Sequence, residues 1–173
     1  MKQFFSLLMA AVLLCTLAAC GGKDSGGNDG DGITIAPSVS ENSMAGHLWD
    51  AFLQEVTTNE GVTMEELADT LVQHPLIRFE GTSASVEPGL LAGFDNYEVT
   101  GFRSGAMFAP AIGSIAFIGY VFELEDGVDA QGFVSGLSNN ANLRWLVCIP
   151  AGQLAVGAHG NIVFFVMCPG GAG

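Results

Sequence analysis

The sequence predicts an α+β fold: a single domain with a mainly antiparallel sheet, two N-terminal helices and one inserted helix. Three observations carry this. The apolar residues keep helical spacing from Met44 to Val56 and again from Met64 to Val72. Beyond Pro75 the pattern shifts toward strands, with one helical interruption between Asp126 and Asn139. The strands come in blocks rather than alternating strictly with helices, which favours an antiparallel sheet with helices on one face. The stretch from residue 41 to 170 holds about 130 residues, enough for one core.

The elements follow in order. Met44, Leu48, Trp49, Phe52, Leu53 and Val56 form the apolar stripe of the first helix, with Asn42 or Ser43 as its cap. Thr63-Met64-Glu65-Glu66 is a capping-box pattern that opens the second helix. His74-Pro75 stops it, because the residue before proline avoids the α region. Leu76 to Val86, broken by Gly81, reads as a strand, Leu90 to Phe94 as a helical turn or loop, and Tyr97 to Arg103 as a strand. Ile115 to Leu124 is β-branched and aromatic with few polar breaks, as in a buried strand. Asp126 to Asn139 is the third helix, weakened by Gly132 and Gly136. Leu143 to Ile149 is read as a strand. Leu154 to Ala158, the turn His159-Gly160 and Asn161 to Cys168 make a hairpin, and Pro169 to Gly173 frays.

The N-terminus is of another kind. Met1-Lys2-Gln3 carries one positive charge, Phe4 to Leu14 is almost wholly apolar, and small residues follow. These are the three parts of a secretory signal peptide. The apolar run is too short to span a bilayer, which takes about 20 residues. An ordinary signal peptide cut nearby would leave Cys20 incidental. Leu17-Ala18-Ala19-Cys20, however, resembles the lipobox of bacterial lipoproteins at every position. That resemblance implies diacylglyceryl transfer to the Cys20 thiol and cleavage before it. The expected organisation is a lipoprotein signal peptide over 1–19, a lipidated cysteine with a Gly/Asp/Ser-rich tether over 20–40, and the α+β domain over 41–170. Gly21 to Gly32 has no apolar residue to bury and should be a flexible tether. Ile33 to Pro37 reads as a short extended lead-in. From Thr63 through the C-terminal hairpin the chain is similar in architecture to small Gram-positive lipoproteins of unknown function, a likeness that implies no activity.

Charge bounds the partners. With Lys2 gone, four cations (Lys23, Arg78, Arg103 and Arg144) face 18 acids, a net charge of −14. Such a surface repels phosphate backbones, which argues against nucleic acid. It also disfavours a polybasic grip on anionic lipid, so membrane contact is expected through lipid on Cys20. Cys15 lies in the signal segment. Cys148 and Cys168 remain as an even pair and a disulfide candidate, worth about 3 kcal/mol if closed. The alternative is two buried free thiols.

Ala106 to Phe122 carries no charge in 17 residues. Pro110, Gly113, Ser114 and Gly119 argue against a membrane helix. Either the segment is strand, apolar turn and central strand, or Met107, Phe108, Pro110 and Ile112 form an exposed contact loop, since large exposed apolar patches mark contact sites. Glu123, Glu125, Asp126 and Asp129 cluster around Gly127 and are read as a solvated cap or a cation site. Asn28 to Gly32 only faintly echoes a calcium loop. His47, His74 and His159 have no zinc spacing. Arg78, Arg103 and Arg144 are read as partners of nearby carboxylates or as an anion site. The chain has no G-x-S-x-G, P-loop or dinucleotide motif. The expectation is a membrane-anchored, non-catalytic binding or accessory module without cofactor or metal. Its ligand would be an envelope protein or a small molecule. The alternative is a carboxylate-dependent envelope hydrolase, for which the 18 acids supply pairs by number alone.

Overall fold

The computed structural model describes residues 32–146 and 148–170. The expected signal peptide, Cys20 and most of the Gly/Asp/Ser stretch lie outside them. The described chain is α+β, with three helices and a six-stranded antiparallel sheet.

The helices begin where the sequence supplies caps. Helix α1 (Met44–Thr58) starts at Ser43, whose hydroxyl accepts from Gly46 N at 3.0 Å. Helix α2 (Met64–Val72) closes the expected capping box: Glu66 N donates to Thr63 Oγ1, and Thr63 N donates to Glu66 Oε2. Those hydrogen bonds from Thr63 hold the Glu66 carboxyl below its ordinary range. Helix α3 (Ala130–Asn140) is capped by Asp129, which accepts from Gln131 N and Gly132 N.

The strands are β1 (Thr34–Ile35), β2 (Gly81–Ser85), β3 (Gly89–Leu90), β4 (Glu98–Val99), β5 (Phe102–Pro110), β6 (Ile118–Leu124), β7 (Gln153–His159) and β8 (Ile162–Cys168). Their order in the large sheet is β1-β7-β8-β6-β5-β2, while β3 and β4 pair by themselves. A bulge in β5 leaves Arg103 as the extra residue between the pairs Phe102–Leu124 and Ser104–Glu123.

The helices cover both faces of the sheet, not one. In β8 successive residues alternate sides: Phe164, Val166 and Cys168 join the core under α1 and α2, while Val163, Phe165 and Met167 join the core under α3. Central strands apolar at every position need two covers. The second cover combines α3 with irregular chain that contributes Phe94, Tyr97, Trp145 and Leu146.

Several expected strands differ. In place of the strand expected over Leu143 to Ile149, the described residues 143–146 and 148–149 form turns and bends. Arg144 N donates to Asn142 Oδ1 and Trp145 N to Asn142 O, and this Asx turn competes with a ladder. Leu76 to Val86 shortens to β2, because Leu76 N donates to His74 Nδ1 and Ile77 N to His74 O, turning the chain there. The stretch from Ile115 to Phe117 precedes β6 rather than opening it. The hairpin turn falls on Gly160-Asn161, one residue later than expected, with Gly160 at φ +59°. The domain also starts before residue 41. β1 pairs with β7, and Gly160 N donates to Ile33 O.

The disulfide is not formed: Cys148 and Cys168 are both free. The fold explains this. Cys168 ends β8 buried on the α1 side, where its thiol lies 3.5 Å from Gln153 Oε1. Cys148 is exposed, in a segment whose neighbours Trp145, Leu146 and Ala151 pack on the opposite face. Burial pushes the Cys168 thiol up to about 12, so it holds little thiolate at neutral pH. Native alkylation should therefore label Cys148 quickly and Cys168 only on unfolding. Mass spectrometry of peptides labelled with and without denaturant reads this out; a 148–168 cross-link would contradict it.

Candidate functional site

The expected contact loop is mostly structure. Phe108 is fully buried, packed edge-on against Phe117 at 5.9 Å and near Phe164 at 6.5 Å. Met107 points to the other face and is partly covered by the second core. Pro110 ends β5, partly buried. Ile112 is 78% exposed on the β5–β6 turn and is the one member of the proposed loop that faces solvent. Strand alternation explains the split: neighbours on a strand face opposite sides, and both sides here have helical covers.

The acids around Gly127 also divide among separate tasks. Arg103 donates to Glu123 Oε1 at 2.7 Å and to Asp126 Oδ1 at 3.4 Å. Its guanidinium holds Glu123 below the usual carboxylate range, while Asp129 caps α3. Glu123 and Glu66 both shift downward, opposite to what a general acid requires. Among the described residues no three His, Cys, Asp or Glu side chains gather as metal ligands. His47 and His74, far apart in sequence, come close enough to repel when charged; burial first, then His47, lowers the His74 pKa. His159 instead meets the Thr34 hydroxyl at 2.9 Å, across β1 and β7.

A polar depression lies where α3 ends. It measures about 560 Å³ and is lined chiefly by Asp95, Asn96, Tyr97, Asn139, Asn140 and Asn142. Two anchors fix its walls. Tyr120, buried between the sheet and the 86–99 segment, donates its hydroxyl to Ala92 O at 3.0 Å; burial raises its pKa. Asn142 N donates to Gly93 O at 2.8 Å, and Asn142 Nδ2 donates to Asp95 Oδ1 at 2.8 Å. Asp95 is held at φ +49°, a conformation Asp and Asn accept more readily than other side chains. Asn140 donates back to Gly136 O at 2.8 Å, and the Tyr97 hydroxyl lies over Gly136, where a Cβ would stand 2.6 Å away.

Amides both donate and accept, so this wall can hydrogen-bond a neutral polar ligand from several directions. Phe94 beneath it gives an apolar floor. The sequence signal was the density of amides in Asn139-Asn140 and Asn142. A strand expected over Leu143 to Ile149 leaves no place for the turn that Asn142 makes, so that signal stays hidden in the sequence. No known protein family, curated protein or solved structure matches this chain.

Proposed function

We propose that the chain is an extracytoplasmic lipoprotein, held to the membrane by lipid on Cys20, whose domain is a non-catalytic binding or accessory module. The carrying observation is Leu17-Ala18-Ala19-Cys20 after a cationic and an apolar segment, followed by a stretch with nothing to bury. The chain joins the sheet beside the Gly160 turn. The β5–β6 turn with Ile112 and the loop before β7 lie at the other end of the strands, as the pairs Ile118–Met167 and Gln153–Cys168 require. Helix α3 starts near the Gly160 end and delivers Asn139 to Asn142 toward the far end, beside Gly93 and Met167. Within the domain, the amide-lined depression therefore lies toward the end of the strands opposite the Gly160 turn.

The test is metabolic labelling with a fatty acid. The wild-type chain should carry the label. Cys20→Ser should carry none and accumulate as an uncleaved or mislocalised precursor. Equal label on both would reject the anchor.

A further inference from the structure

The large sheet ends at β2, and the outer side of β2 is open. Ala111 N donates to Glu80 O, and Val86 N donates to Gly105 O. In an antiparallel pair such residues alternate, so Thr82 and Ala84 also turn their backbone groups toward β5. Gly81, Ser83 and Ser85 then turn theirs outward. Among the described residues no backbone group pairs with them. Open edges are usually blunted by lysine, proline, a bulge or a cover. The strand Gly-Thr-Ser-Ala-Ser has none of the first three. The opposite edge of the sheet is closed by a two-residue strand, with Pro37 just beyond it.

Carboxylates line this edge. Helix α2 lies over β2 in the opposite direction: Val72 meets Gly81, and Asp69 meets the Ser83 hydroxyl. Glu65, one turn earlier than Asp69, occupies the same flank of the helix. Glu80 and Glu87 stand exposed just beyond the two ends of the strand, and Arg78 is the nearby cation in the sequence. A second copy pairing β2 with β2 would set these acids against one another, on chains already at −13.

We infer that the outer edge of β2 receives an extended cationic peptide segment from a partner protein. The segment adds as a further strand, with Lys or Arg at alternate positions facing Glu65 and Asp69. The backbone groups of Gly81, Ser83 and Ser85 supply the ladder, and the acids supply the sign. The inference names the partner class for the binding module proposed above and rests on that reading. Labelling of Cys20 tests the anchor and peptide titration tests the edge, so each can fail without the other.

The experiment titrates the full chain, in detergent micelles, with the capped peptide Lys-Thr-Lys-Val-Lys-Thr-Lys and follows backbone amides by NMR. Saturable shifts at Gly81, Ser83 and Ser85 are expected, with slowed hydrogen exchange at those three. Ser83→Pro removes an outward donor and no bond to β5, so it should abolish binding. Glu65→Gln with Asp69→Asn should weaken binding about tenfold or more at low salt. That pair decides the matter if the proline variant melts early. Three results would overturn the inference: no saturable shift, equal binding of the Glu-Thr-Glu-Val-Glu-Thr-Glu peptide, or concentration-dependent protection of the outward amides without peptide, which would make the occupant a second copy.

Discussion

Phe108→Ala should destabilise the domain by about 3–5 kcal/mol, the cost of a large aromatic cut from a filled core. For a domain of this size that is a fall in Tm of roughly 10–15 °C. The ring is fully buried and ringed by other aromatics: Phe117 and Phe164 touch it, and Phe164 in turn packs on Trp49 and Phe52 of α1. Cutting it opens a void between α2, β5 and β8 that rigid neighbours close poorly. Ile112→Ser on the adjoining turn is the control, and it should stay within about 0.5 kcal/mol. Circular-dichroism melts of the two variants separate core from surface. A Phe108→Ala loss as small as that of Ile112→Ser would place the ring back in solvent and revive the contact loop.

How far the sequence could be read depended on whether a local signal was complete in itself. Ser43, Thr63 with Glu66, and Pro75 each act within one turn of chain, so both early helices fall close to their predicted bounds. The Gly160 hairpin is local too, and its error is one residue. The second cover of the sheet was different. β6 and β8 are apolar on both sides, and the run from Ile115 to Leu124 had suggested a buried strand; what fills the second side comes from Phe94, Tyr97 and Trp145, on segments with no regular period. Period-based reading turned those segments into strands or loops. The same cause hid the amide-lined depression, because it joins the residues around Asp95 to Asn139–Asn142, more than forty positions away. Two cysteines at strand-like ends looked equivalent in one dimension, but the sheet between them puts Cys168 and the segment of Cys148 on opposite sides. Thr34 and Ile35 looked like lead-in because an edge strand of two residues has no period to show.

The second large effect is expected at Gly119. It stands directly across from Phe108 in the β5–β6 register, and the Phe108 ring lies over it. A Cβ built there would fall well inside van der Waals contact of Cζ, Cε1 and Cε2 of that ring. Gly119 is not among the glycines at positive φ, so alanine fits the backbone and the cost is the collision alone. A glycine under a cross-strand aromatic is one device by which sheets seat a large ring. Gly119→Ala should force Phe108 from its rotamer and cost about 3 kcal/mol, at the upper end of overpacking. Because one ring causes the whole effect, it should vanish when the ring is gone. In the Phe108→Ala background, Gly119→Ala should be neutral or mildly stabilising, since the methyl enters the space the ring leaves. Denaturant melts of the four chains give the coupling, expected at about 3 kcal/mol. Additive losses would mean that Gly119 is needed for some reason other than the ring above it.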